Sequence, residues 1–287
     1  MSFFWYKRLF PVEVKPGDPN FQKIVDGRTD LQLGSSGGMK RAQAKADEVL
    51  KLNDRVVQAR GLYAMSTFAI QARYGDASPA DIGRAHGYVE EEWAIHKTEP
   101  DVMLAKAAED LLTGAGEEHR DNLNKVVANP ELGAEATLLL ARSYAKANDV
   151  PNAKAQYVAA LGAGQTHGRA AVLFASFLTN QVKDHALAAL TLEKAQAEDK
   201  TNPILALELA SLRVGVLAQP EKAEEALTPA LDHPDLSAEE NARAALRMSP
   251  AERCAPREVV VQGPGDRDGD GLLDPDDACP DQPENYN

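Results

Sequence analysis

The chain has 287 residues, enough for one large or two modest domains with a sizeable core. Its hydrophobic fraction of 44% is dominated by Ala and includes only 6% aromatics, which favours closely packed helices over a β-sandwich. The net charge of -13 creates a negative field that disfavours nucleic acid, and no run of about 18 apolar residues is present to span a membrane.

Residues 1–38 read as an irregular arm, because Pro11, Pro16, Gly17, Pro19 and Gly27 interrupt every candidate helix. The apolar stretch Phe3-Phe4-Trp5-Tyr6 is stopped by Lys7 and Arg8, too early for the h-region of a signal peptide, so an exported form implies a processed or trimmed chain. This cluster, with Phe10, either packs on the helical body or contacts a partner or an envelope surface. The arm ends in Gly34-Ser35-Ser36-Gly37-Gly38, read as a flexible joint.

Residues 39–249 read as a run of helices. Breaks fall at residues 75–79, 99–100, 114–116, 129–130, 148–151, 162–164, 202–203, 219–220 and 232–235. Ser78-Pro79-Ala80-Asp81, Asn202-Pro203 and Ser237-Ala238-Glu239-Glu240 carry helix-start signals. A period runs through this region. Small residues recur at Ala107, Ala141, Ser176 and Ser211, at steps of 34, 35 and 35. A second series, His119, Ala153, Ala188 and Ala223, is followed four residues later by Leu123, Tyr157, Leu192 and Leu227. Three further on come Val126, Ala160, Ala195 and Ala230. Small side chains let paired helices approach and a larger one fills the gap between hairpins, as stacked hairpins require.

These positions resemble the tetratricopeptide repeat, and Tyr144 fits its first-helix tyrosine. Repeats begin near 100, 134, 169 and 204, and Ala42, Ala46 and Val49 look like the second helix of an earlier unit. The family's first-helix Gly and Trp are missing, His119 stands where Ala is usual, and residues 75–79 read as an insertion. The resemblance implies an all-α, right-handed solenoid whose inner face is lined by first helices. In this register Leu104, Leu138, Leu173 and Glu208 share one inward position, and Ala108, Arg142, Phe177 and Leu212 the next, with Asn180 and Gln181 following. Phe177 as an apolar anchor among Arg142, Asn180 and Gln181 forms a peptide grip; the alternative is a core Phe177 and a solvated Arg142. The family's carboxylate clamp is not reproduced. No catalytic constellation is found, and the i,i+4 pair Glu92 and His96 reads as part of a solvated helix face.

Residues 250–287 form the third segment. Asp266, Asp268, Asp270, Gly271, Asp274 and Asp277 occupy positions 1, 3, 5, 6, 9 and 12 of a calcium loop, with the Leu272 carbonyl at position 7. The alternative is a disordered acidic tail. Residues 266–284 carry eight acids and one Arg, and so more than half of the net charge. Cys254 and Cys279 flank the loop, as a disulfide of an oxidising compartment or as two unrelated thiols. The run from Asp266 to Pro280 resembles a thrombospondin type 3 repeat of the kind that precedes OmpA-like domains in bacterial envelope proteins. In that family the loop cysteine often pairs with a following repeat, which this chain lacks.

The two resemblances together imply a non-enzymatic, periplasmic protein-binding scaffold linked to outer-membrane or cell-wall components. A protein or peptide would occupy the groove, and Ca2+ would stiffen a C-terminal linker. The alternatives are an accessory subunit of an envelope enzyme and a cytosolic adaptor.

Overall fold

The computed structural model describes residues 12–114, 117–162, 168–231 and 233–246. The calcium-loop residues, Cys254, Cys279 and the N-terminal aromatic cluster lie outside the described residues. Within them the chain is all-helical: thirteen α-helices and no strand, with one isolated parallel bridge between Val12 and Val56. The chain divides into two compact units at Asp199 and Lys200.

The first unit holds ten of these helices. They are α1 (Pro19–Leu33), α2 (Ser36–Leu52), α3 (Val57–Tyr74), α4 (Pro79–Ile95), α5 (Pro100–Thr113), α6 (Arg120–Val126), α7 (Gly133–Lys146), α8 (Val150–Gly162), α9 (Gly168–Phe177) and α10 (His185–Glu198). The expected irregular arm is corrected here. Pro19 sits in the first turn of α1, where its missing N–H costs nothing, and Asp18 caps the helix by accepting from the Asn20 N–H at 2.7 Å. Gly27 lies inside α1 because a Cβ there would come within 2.7 Å of Leu62 Cδ2. The supposed flexible joint is a tight corner. Gly34 ends α1 in the left-handed region at φ 80, and Ser35 starts α2 by accepting from the Gly38 N–H at 3.2 Å. The boundary expected at 38/39 therefore falls inside α2. Ahead of α1, the Gln58 side-chain amide clamps Val14, accepting from its N–H at 2.9 Å and donating to its carbonyl at 3.0 Å.

Helices pack in chain-order pairs, α1 with α2, α3 with α4, α7 with α8 and α9 with α10, while α3 also packs on α5 and α5 on α7. Helix α3 is buried on all sides along most of its length, as expected of an element with neighbours on every face. In the second-helix series Ala153, Ala188, Leu123, Tyr157, Leu192, Val126 and Ala160 are buried, while Ala195 is only half-buried. The first-helix series does not. Ala107 and Ala141 are buried but Ser176 is exposed; the residue buried in its place is Ala175. From Ala107 to His119 and from Ala141 to Ala153 the spacing is 12 residues, whereas from Ala175 to Ala188 it is 13. The additional residue is taken up by a single π turn, Leu178–Val182, at the end of α9, followed by Lys183 at φ 64.

Helix α1 also packs on α3 and α9. Its Arg28 is buried and donates to Asp101 Oδ1 at 2.8 Å and to Glu131 Oε2 at 2.6 Å. Leu104 and Leu138, expected to line an open inner face, are buried. The first described helix thus contacts elements that lie more than a hundred residues later.

The second unit contains α11 (Pro203–Gly215), α12 (Pro220–Leu227) with a 3-10 turn at Thr228–Ala230, and α13 (Ala238–Leu246). At the position expected of Ser211 the fully buried small residue is Ala210, and Ala223, Leu227 and Ala230 are buried in the elements that pack on α11. Both sequence-read caps form. Asn202 accepts from the Ile204 N–H at 3.3 Å, and Ser237 and Glu240 make a reciprocal capping box at 3.2 and 2.9 Å.

Candidate functional site

The one-residue slip in α9 redistributes the expected grip. Phe177 is buried, its ring 5.3 Å from Tyr157 and 6.4 Å from Phe174, and it serves the core of the α8–α9 contact rather than as a surface anchor. Burial in this aromatic stack pushes the Tyr157 hydroxyl up to about 12. Asn180 and Gln181 are exposed on the π turn, and Asn180 donates to Ser176 Oγ at 3.1 Å. Glu208 lies in the second unit, 3.5 Å from Arg243 Nη2. The frame that places Arg142 and Phe177 together is replaced by one that places Arg142 with Ser176, one repeat of 34 residues apart.

Arg142 does face an opening. A cavity of about 230 Å³ lies between α2, α3, α7 and α9, with Gly34 at its edge. Met39, Ala69, Ala72, Val172 and Leu173 give it apolar walls; Arg73, Arg142, Arg169 and Ser176 give it polar ones. Arg169 is committed elsewhere: buried at the start of α9, it donates through Nη1 to Glu135 Oε1 at 2.5 Å, one repeat away. Arg73 is held by its neighbour, with Nε donating to the Tyr74 hydroxyl at 3.0 Å. Arg142 makes no hydrogen bond or ion pair with any described residue, although it is only partly exposed. Burial pushes its guanidinium below the ordinary value and the charge of Arg169 adds to that push, while Tyr157 and Glu135 offset only part of it. No carboxylate lines the cavity among the described residues.

Two other polar clusters resolve into structural roles. Glu92 and His96, expected on a solvated face, are buried: Arg60 Nη1 donates to Glu92 Oε1 at 2.7 Å, and His96 Nδ1 meets Glu92 Oε2 at 2.6 Å. The Arg60 guanidinium also lies 4.8 Å from the centre of the Tyr88 ring. His86, Glu90 and Glu109 place ligand atoms within 4.8 Å of one another, a spacing open to a metal ion. A cation already sits there. Lys106 Nζ is 2.9 Å from Glu109 and 3.4 Å from Glu90, and it reaches Asp110 at 3.2 Å. Burial opposes the Lys106 charge, but its hydrogen bonds to Glu109 and Asp110 outweigh that and raise its pKa above the ordinary lysine value. Asp110 in turn bonds His119, whose ring stands edge-on to Trp93 at 5.6 Å. His119, conspicuous in the sequence as the wrong residue for a small position, is therefore a buried partner of Asp110 and Trp93.

Sequence reading missed Arg73 and Arg169 and took Ser176 for a packing position. Arg169 and Glu135 did carry a signal, being opposite charges 34 residues apart on first helices. Compared with models of known families, with curated proteins and with solved structures, the chain matches none.

Proposed function

We propose that the chain is a non-enzymatic, protein-binding scaffold of the bacterial cell envelope. Its helical hairpins would stack as a right-handed, tetratricopeptide-like solenoid, and the segment from Asp266 to Asp277 would bind Ca2+ and stiffen the exit from the array. The observation that carries the binding role is the exposed surface of Ser176, Asn180 and Gln181 at the end of α9 and on its π turn, the last two outside the cavity itself. Helix α1 takes up part of the inner face, so the partner surface is narrowed to this end of the first unit. The 34-residue period, with buried small and large positions in the second helices of both units, supports the repeat reading.

A photo-activated cross-linker placed singly at Ser176, at Asn180 and at exposed Val158 tests the reading in the cells that make the protein. Discrete adducts from 176 and 180 with none from 158 are expected. Identical adduct patterns from all three positions, or adducts from Val158 alone, would remove the surface from this end of the unit.

A further inference from the structure

We infer that the cavity beside Arg142 holds a small free anion bearing a carboxylate or a phosphate group, and that this anion ties α7 and α9 to α2 and α3. The inference goes beyond the scaffold reading and does not depend on it. A guanidinium removed from bulk water without a counter-charge is costly, and cations in such places are ordinarily paired. Arg169 illustrates the rule one repeat away, where Glu135 accepts from it at 2.5 Å. Arg142 differs: Glu135, bonded to Arg169, acts on it only through space, and it faces the cavity with Arg169 and Arg73 as co-lining cations and no described carboxylate on the walls. That balance is reversed from the chain as a whole, where acids outnumber Lys and Arg by 44 to 31.

The chemistry of the walls selects an oxyanion. Arginine presents a planar fork that matches two oxygens of one carboxylate or phosphate, and Ser176 offers a hydroxyl donor on the adjoining helix. Met39, Ala69, Ala72 and Val172 would cover a short apolar body. At about 230 Å³ the space lies below the roughly 300–1,000 Å³ of pockets for drug-sized ligands, which points to an anion of a few heavy atoms rather than an extended peptide.

Thermal unfolding of the full chain is measured in sodium succinate and in sodium phosphate, each against sodium chloride at equal ionic strength. The expected result is a saturable rise of roughly 2–4 °C with at least one of the two oxyanions. Succinate alone assigns a carboxylate; phosphate alone assigns a phosphate. Arg142→Met abolishes the rise, and without either anion it melts no lower than the wild type because an unpaired cation has been removed. Arg142→Lys keeps the charge, loses the fork, and needs about tenfold more anion for the same rise. Absence of any shift beyond chloride, or an unchanged shift in both variants, overturns the inference. Cross-linking at Ser176 without an anion effect would leave the scaffold standing and remove only the anion.

Discussion

At Gly34 two constraints meet in one residue. Its φ of 80 lies in the left-handed region, and a Cβ there would approach Arg169 Cα to 2.7 Å. Gly34→Ala is expected to cost roughly 1–3 kcal/mol in urea unfolding, from backbone strain and displacement of α9. Gly83, inside α4 with nothing within 4 Å of its virtual Cβ, is the counterpart: Gly83→Ala should stabilise by about 0.5–1 kcal/mol. A pH effect also sits at single residues. Ser78 Oγ and the Tyr63 hydroxyl donate to Asp81 at 2.7 and 2.5 Å and hold its carboxyl below the usual carboxylate range. A folded pKa below the unfolded one adds stability that is fully present above about pH 4 and is lost as pH falls through the folded value. Tyr63→Phe should therefore cost roughly 1 kcal/mol at pH 7, with the gap to wild type narrowing as pH falls below the usual carboxylate range. An equal gap at pH 7 and below that range would show that the hydroxyl acts on something other than the Asp81 charge.

Among the helices, α1 is the one that sequence punctuation hid. Its proline and glycines read as breakers, yet the proline stands in the first turn, Gly27 allows contact with Leu62, and Gly34 makes the corner. Only the fold shows that a glycine is a contact rather than a break. The ends of α4, α11 and α13 were legible because caps are local chemistry: Ser78, Asn202 and Ser237 each accept from the backbone of the next turn. The register of α9 was not legible. A π turn absorbs one residue without any compositional mark, so the apparent 35-residue step put Phe177 beside Arg142 and left Ser176 on the wrong face. Arg28 ties α1 to α5 through buried Asp101, and Arg28→Met should destabilise by roughly 3–5 kcal/mol because it strands that carboxylate. Urea unfolding of Arg28→Met with Asp101→Leu should recover most of the loss. A double variant no more stable than the single one would place the cost in packing of α1 instead.

For the whole molecule, the helical class was legible because composition and helix punctuation report averages over many residues. The Arg142 cavity was not, since its walls come from residues 34–39, 69–73, 142 and 169–176, joined only by the packing of α2 and α3 near α7 and α9. The acidic run at 266–277 is the most specific sequence signal in the chain, and the proposed link to the envelope rests on it. Like charges so closely spaced in sequence repel one another, and in the proposed scaffold a bound Ca2+ would neutralise them. Calorimetric titration of the full chain with calcium, paired with limited proteolysis, is the most direct test of that scaffold. One ion per chain at millimolar or tighter affinity is expected, with protease protection around residue 266 that Asp266→Asn with Asp270→Asn removes. No binding heat, and identical cleavage near residue 266 with and without calcium, would contradict it.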